Sequence, residues 1–157
     1  LLRFGSQCLG QSVARPHGER TFSFLGFTHY VGRSRRGRFV VGRQTDAKRM
    51  HKKLKLLSEH LRRLRSEGGN AMLAFFVRHT RGHIQYYGVS GNSRGLAAYL
   101  YAASGLLFKW LNRRSQRRSL TWKRFTAYIR PMFPKARILH DLYPIPWWKT
   151  QAGSRMV

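Results

Sequence analysis

The apolar residues of this chain recur every three or four positions over three long stretches, a spacing that places them on one face of an α-helix. The first stripe consists of Ala47, Met50, Leu54, Leu57, Leu61 and Leu64. Thr45 is predicted to cap this helix and Gly68 to end it, while its other faces carry Lys and Arg. A second helix is predicted from Ala71 to about Tyr87, and a third from about Ser93 to Leu111.

A different pattern precedes the helices. Residues 21–31 are aromatic and β-branched with partial alternation, and residues 38–41 have the pattern of a returning strand. The Gly-containing segment 32–37 predicts a turn, which makes a β-hairpin whose basic tip is either a solvated loop or a phosphate contact. After the third helix, residues 122–129 keep a helical spacing, and residues 143–148 are predicted to form an extended arm. The predicted fold class is mainly α: a three-helix bundle preceded by a β-hairpin and followed by a basic C-terminal extension.

Charge points to an anionic partner. Among 157 residues, 31 are Lys or Arg and 5 are Asp or Glu, which gives a formal net charge of +26. A compact domain of this charge repels itself unless a polyanion neutralises it, so nucleic acid is the expected partner and an anionic membrane surface is the alternative. From Gly68 to His140 there are 13 Lys and Arg residues and no carboxylate. Because a solvated helix face normally mixes both signs, this stretch predicts a binding surface.

The residues that catalysis or metal binding requires are scarce. The five carboxylates lie far apart in the sequence, at positions 19, 46, 59, 67 and 141. This spacing leaves no acid–base pair and no two-metal site. His79 and His83 have the spacing of a zinc pair, but no Glu follows His79 and no third ligand is evident, so we expect buried or RNA-facing imidazoles and no cofactor. Cys8, the single cysteine, permits no internal disulfide, and the longest apolar run, residues 96–108, is too short to span a bilayer.

One segment combines the side chains that nucleic-acid interfaces use. Residues 113–124 contain six cations together with hydroxyl groups, an amide and Trp122. Cations neutralise phosphates, while hydroxyl and amide groups bond sugar or phosphate. We interpret Trp122 as a core side chain rather than a stacking platform, because Phe125 and Ile129 continue its face. The candidate RNA-binding residues are Lys48, Lys52, Lys55, Arg62, Arg81, Tyr86, Asn112, Arg113, Arg114, Gln116, Arg117, Arg118, Lys123 and Arg124.

Tyr86 and Tyr87 are neighbours on the second helix, where successive side chains point about 100° apart. Tyr87 continues the stripe of Phe76, Thr80 and His83, whereas Tyr86 lies among polar residues. We expect Tyr87 in the core and Tyr86 partly exposed near the RNA. The alternative is that both belong to the core.

Four ordered motifs carry a family resemblance. They are Phe-Ser-Phe-Leu-Gly-Phe-Thr-His-Tyr at 22–30, Arg-Gly-His-Ile-Gln-Tyr-Tyr-Gly-Val at 81–89, Trp-Leu-Asn-Arg-Arg-Ser-Gln-Arg-Arg at 110–118 and Thr-Trp-Lys-Arg-Phe at 121–125. In order and spacing, over about residues 20–140, the chain resembles the C-terminal part of bacterial group II intron-encoded reverse transcriptase/maturases. The resemblance implies that residues 1–44 end the reverse transcriptase palm, residues 45–140 form the thumb-like maturase-specific (X) domain, and residues 141–157 are an extended tail.

The resemblance also implies a function. The chain would bind and stabilise group II intron RNA to promote splicing, and within a full-length parent it would grip the template–primer duplex or target DNA during reverse transcription and intron mobility. The family's polymerase aspartates lie upstream of this part, so we expect no enzymatic activity here, although the parent would be an RNA-directed DNA polymerase. Since the chain starts at Leu1 without Met, we expect a piece of a longer protein, located in the bacterial cytoplasm. The alternative is a general basic nucleic-acid-binding protein without an intron-specific role.

Overall fold

The computed structural model describes residues 21–33, 37, 39–114 and 120–142. Three strands come first: β1 (Thr21–Phe24), β2 (Phe27–Arg33) and β3 (Phe39–Thr45). Three long helices follow: α1 (Ala47–Arg63), α2 (Gly69–Tyr87) and α3 (Ser93–Asn112). A single turn, α4 (Trp122–Arg124), continues into a π-helical turn (Phe125–Ile129) and a 3₁₀ turn (Arg130–Met132). The prediction of a mainly helical fold, with a small β element before three helices, is confirmed.

The sheet is an antiparallel meander in the order β1-β2-β3, so the prediction of a single hairpin is wrong at one point. Residues 21–31, predicted as one strand, are divided by a turn at Leu25 and Gly26, across which Phe24 pairs with Phe27. Both turn residues have positive φ angles, 49° and 81°, as in the tightest β-hairpin turns. Glycine is required at position 26, because a Cβ there would also lie 2.8 Å from the Tyr87 hydroxyl oxygen. Most of the basic tip between β2 and β3 lies outside the described residues.

Helix α1 begins one residue after its predicted position. Asp46, and not Thr45, is the N-cap: its carboxylate accepts a hydrogen bond from the Arg49 backbone N–H at 2.9 Å. The same hydrogen bond lowers the pKa of the Asp46 carboxyl. Thr45 instead ends β3 as a buried residue, because Asn92 binds both its backbone and its hydroxyl group.

Asn92, in the turn between α2 and α3, joins the helices to the sheet. Its side-chain oxygen accepts a hydrogen bond from the Thr45 backbone N–H at 2.8 Å. Its side-chain NH2 group donates to the Thr45 hydroxyl at 2.9 Å and to the Tyr87 carbonyl at 2.8 Å. Because Asn92 is buried, these bonds are shielded from water.

Replacing Asn92 by Ala should therefore lower the free energy of unfolding by about 1–3 kcal/mol, the cost of leaving buried polar groups without partners. Urea denaturation measures this loss. Asn70→Ala, at an exposed position on α2, is the matched control and should change stability by less than about 0.5 kcal/mol. Equal stability of the two variants would show that the Asn92 bonds contribute nothing.

The core has two parts. The larger part lies between the helices and contains Leu57, Leu61, Met72, Phe76, Tyr99, Ala103, Leu107, Trp110 and Phe125. The smaller part lies between the sheet and the adjoining ends of α2 and α3, and contains Phe27, Ile84, Tyr87, Val89 and Leu96. The helical stripes predicted from spacing supply most of the larger part, whereas Phe27, Ile84 and Val89 of the smaller part lie outside them.

Residues 133–142 fold back along α2 and end beside the turn between α2 and α3. The Ser90 N–H donates to the His140 carbonyl at 2.9 Å, while the Leu139 and His140 N–H groups donate to the Gly88 carbonyl at 2.6 and 3.0 Å. At the other end of this segment, Phe133 packs on Phe76 of the larger core. The predicted extended arm, residues 143–148, lies outside the described residues.

Candidate nucleic-acid interface

The outer face of α1 carries four of the predicted RNA-binding cations. Lys48, Lys52, Lys55 and Arg62 are all exposed. Their helical spacing places them together on the side opposite the buried residues Leu57 and Leu61. This arrangement gives α1 one continuous cationic surface.

Lys53 is an exception to the prediction that the Lys and Arg residues of α1 lie on faces away from its apolar stripe. It is half-buried on the flank of α1 that faces α2, and its ammonium nitrogen lies 5.4 Å from the centre of the Tyr87 ring. Desolvation lowers the pKa of the Lys53 ammonium group. Lys53 is therefore engaged in packing α1 against α2.

Two of the predicted arginines follow α3 and lie beside the turn between α1 and α2. The Arg113 guanidinium lies 5.4 Å from the centre of the Trp110 ring, and the Arg114 guanidinium lies next to Gly68. Trp110 is fixed in turn, because its indole N–H donates to the Ser58 hydroxyl of α1 at 3.0 Å. Both arginines are exposed. The remaining predicted residues of this run, 116–118, lie outside the described part of the chain.

Asn112 has a structural role. Its side-chain oxygen accepts a hydrogen bond from the Leu120 N–H, and its NH2 group donates to the Leu120 carbonyl at 3.0 Å. These bonds join the end of α3 to the residue that precedes α4 by two positions. The side-chain amide of Asn112, which was predicted as an RNA contact, is thus engaged by the Leu120 backbone.

Trp122 lies at the edge of the core rather than within it, which corrects our interpretation of it as a core residue. Its ring stacks on Phe125 with centres 5.1 Å apart and meets Phe108 edge-on at 5.0 Å. The side chain nevertheless remains 41% exposed. Lys123 and Arg124, which follow it, are both exposed.

A cationic cleft of about 410 Å³ separates α2 from the returning C-terminal segment. It is lined by Arg81, Ile84, Gln85, Pro134, Lys135, Arg137 and Leu139. His140 anchors the segment, because its Nε2–H donates to the Gln85 carbonyl at 2.9 Å. The sequence analysis selected Arg81 but missed Lys135 and Arg137. These two residues belong to an irregular segment, whose position cannot be predicted from a repeating sequence pattern.

Tyr87 is buried and Tyr86 is partly exposed, as predicted. Tyr87 is 7% exposed and Tyr86 is 50% exposed. Tyr86 also has a structural contact that the sequence did not reveal: its hydroxyl donates to the Leu25 carbonyl at 2.8 Å. Its ring stacks on Phe27 with centres 5.9 Å apart, so Tyr86 supports the β1–β2 turn as well as presenting an edge to solvent.

The two histidines of α2 belong to an aromatic stack. His83 is fully buried, and its ring stacks on Tyr99 and Tyr87 at 3.4 and 4.5 Å between centres. Among the described residues, neither ring nitrogen has a hydrogen-bond partner. Burial lowers the pKa of His83 to about 3, with further contributions from Lys53 and His79, so the ring is neutral. His79 Nε2 lies 2.9 Å from the Tyr99 hydroxyl oxygen. Within the described ranges, no group of three or more His, Cys, Asp or Glu residues could hold a metal ion.

Comparison of the chain with protein-family models, curated proteins and solved structures yields no match. In the part of the chain that the structure describes, every helix is too short or too polar to cross a membrane.

Proposed function

We propose that this chain is an RNA-binding domain. The observation that carries the proposal is the exposure of every described cation in the stretch without carboxylates, from Gly68 to His140. These cations are Arg78, Arg81, Arg94, Lys109, Arg113, Arg114, Lys123, Arg124, Arg130, Lys135 and Arg137. No carboxylate of this stretch competes with phosphate for them, and such a surface gains free energy by releasing the counterions of a nucleic acid.

Within this class, the proposed function is that of a group II intron maturase, which binds and stabilises the intron RNA to promote splicing. In a full-length parent, the same domain grips the template–primer duplex or target DNA during reverse transcription and intron mobility. The four ordered sequence motifs support this proposal. The intron RNA supplies its own catalytic site, so the domain offsets phosphate repulsion where RNA helices crowd together, and recognition rests on helix shape and backbone. The proposal assigns no catalytic step to this chain.

Charge reversal of the arginine-rich segment 113–118 should weaken RNA binding. Replacing Arg113, Arg114, Arg117 and Arg118 by Glu should flatten the dependence of log K on log salt by about 0.7–0.9 for each phosphate contact that is lost. Fluorescence anisotropy titrations of an intron RNA at KCl concentrations from about 50 to about 300 mM measure this slope.

Four reversals on α1, at Lys48, Lys52, Lys55 and Arg62, provide the matched control, because they change the net charge by the same amount. If the arginine-rich segment dominates, the α1 variant retains the steeper slope. An unchanged slope for the segment variant, with a flattened slope for the α1 variant, would place the interface on α1 instead. Equal losses in both would indicate attraction by net charge alone.

Specificity separates the maturase proposal from general nucleic-acid binding. The wild-type chain should bind a folded group II intron RNA more tightly than an unrelated structured RNA of equal length at the same salt concentration. Equal affinities for the two RNAs would favour the general alternative and would leave the RNA-binding class intact.

A further inference from the structure

Tyr101 is exposed on the outer face of α3 and is not among the RNA-binding residues predicted from the sequence. Its side chain is 70% exposed. Among the described residues, none stacks on its ring and none forms a hydrogen bond with its hydroxyl group. The ring is therefore available to a ligand, and the question is whether its surroundings fit one.

The residues around Tyr101 leave its ring accessible. On a helix, the side chains three and four positions away are the nearest neighbours. Here those neighbours are all small: Ala97, Ala98, Ser104 and Gly105. Among the described residues, none would contact a Cβ atom at Gly105 within 4 Å, so the surface at this neighbouring position is open. A flat ligand can therefore reach Tyr101 without displacing a side chain.

The ring also borders a cleft with a cationic wall. This cleft of about 300 Å³ lies between α3 and the segment that follows the 3₁₀ turn, and it is lined by Tyr101, Ser104, Arg130, Phe133 and Lys135 among others. Arg130 and Lys135 are exposed, and Arg94 lies two helical turns before Tyr101 on the same face of α3. No carboxylate occurs in this part of the sequence. The surface therefore offers a planar apolar group beside groups that attract phosphate.

We propose that Tyr101 is a stacking platform for an unpaired base of single-stranded RNA, whose phosphates lie against Arg130 and Lys135. The proposal rests on the RNA-binding function proposed above and adds a second site to it. A duplex is a poor ligand here, because its base faces are covered by their neighbours, whereas an unpaired base exposes a face to an aromatic ring. The cations and the ring together fit a nucleotide better than they fit an uncharged apolar peptide.

Two probes distinguish this site from the duplex-binding surface: a fluorescein-labelled oligouridylate of twelve nucleotides and a blunt twelve-base-pair RNA duplex. Tyr101→Ala should weaken binding of the single strand by about 5-fold to 150-fold, the range for losing one base–aromatic stack. It should change the affinity for the duplex by less than about twofold. Tyr101→Phe keeps the ring and should bind both probes as the wild type does.

Tyr128 provides a matched control, since it is 73% exposed but does not line the cleft. Tyr128→Ala should leave the affinity for both probes unchanged. Replacing Arg130 and Lys135 together by Gln should weaken single-strand binding and flatten its salt dependence by about 0.7 for each lost contact. Thermal melting of each variant checks that the fold is intact, as expected for exposed positions.

Photocrosslinking locates the base directly. An oligouridylate that carries 4-thiouridine should crosslink to the peptide that contains Tyr101 in the wild type, and this crosslink should be lost in Tyr101→Ala. Single-strand affinity of Tyr101→Ala equal to that of the wild type, or an equal loss for Tyr128→Ala, would overturn the platform while leaving duplex binding in place. If the wild type binds neither probe, both the platform and the proposed RNA-binding function fail.

Discussion

Replacing Tyr87 by Ala should lower the free energy of unfolding by about 3–5 kcal/mol, the usual cost of emptying a large buried aromatic site. Tyr87 fills the smaller core, where its ring meets Phe27 at 5.1 Å and His83 at 4.5 Å between centres. Lys53 covers the ring from α1. The substitution therefore removes contacts to the sheet and to two helices at once. Urea denaturation or thermal melting measures the loss, and Tyr87→Phe, which keeps the ring, should retain most of the stability.

Tyr86→Ala is the neighbouring comparison. It removes the hydrogen bond to the Leu25 carbonyl and a ring that is already half-exposed. The free energy of unfolding should therefore fall by only about 1 kcal/mol. If the exposed edge of Tyr86 contacts a base in the proposed complex, RNA affinity should fall by about 1–3 kcal/mol. Equal losses of melting temperature for the two alanine variants would contradict their division into a core tyrosine and a surface tyrosine.

Acidification should destabilise the fold through His83. Burial lowers the pKa of His83 in the folded chain to about 3, whereas an unfolded histidine titrates near 6.5. Between these two values the unfolded chain binds the proton and the folded chain does not, so stability is full above pH 6.5 and is lost as the pH falls. Between pH 7 and pH 5 the free energy of unfolding should fall by about 2 kcal/mol from this residue alone.

Urea denaturation at pH 7, 6 and 5 measures this slope. His83→Leu has no titratable ring at this position and should show a much flatter dependence over the same range, whatever its stability at pH 7. His79, whose pKa burial also lowers, contributes in the same direction and accounts for a residual slope. An equal slope in the wild type and His83→Leu would show that His83 is not the group responsible.

The helical part of the fold was predictable because its signal is periodic. The stripe that contains Leu57 and Leu61 identifies α1, and both residues are fully buried. The same rule could have placed two residues that we misjudged or missed. Lys53 lies four positions before Leu57, so helical spacing itself puts it beside the stripe, where it packs on Tyr87. Tyr101 lies two positions from the buried Ala103, so helical spacing places it on the opposite, solvent-facing side of α3.

The turn at Leu25 and Gly26 was not predictable in the same way. It divides an aromatic run that has the composition of one continuous strand, and Leu at a positive φ has no sequence signal. The position is fixed by distant residues instead: Tyr86 bonds the Leu25 carbonyl, and Tyr87 occupies the space that a side chain at Gly26 would need. Tertiary contacts thus decide where the chain turns.

The cationic cleft between α2 and the C-terminal segment could not be predicted from the sequence for a related reason. Lys135 and Arg137 belong to a segment without periodicity, and their position depends on hydrogen bonds between Gly88 and His140, which are far apart in sequence. Residues 113 and 114 could be selected from their local density of charge. Their proximity to the α1–α2 turn depends on the antiparallel arrangement of the helices.

The turn from Gly88 to Asn92 has a consequence for the order in which a growing chain acquires its structure. The Thr45 backbone N–H is synthesised 47 residues before the Asn92 side chain that accepts its hydrogen bond, so this bond cannot form until residue 92 has been added to the chain. The segment that bonds Gly88 and Ser90 emerges later still. Closing such long loops costs chain entropy that only completed contacts repay. The turn between α2 and α3 therefore has partners that are synthesised well before it and well after it, and its hydrogen bonds are complete only when both are present.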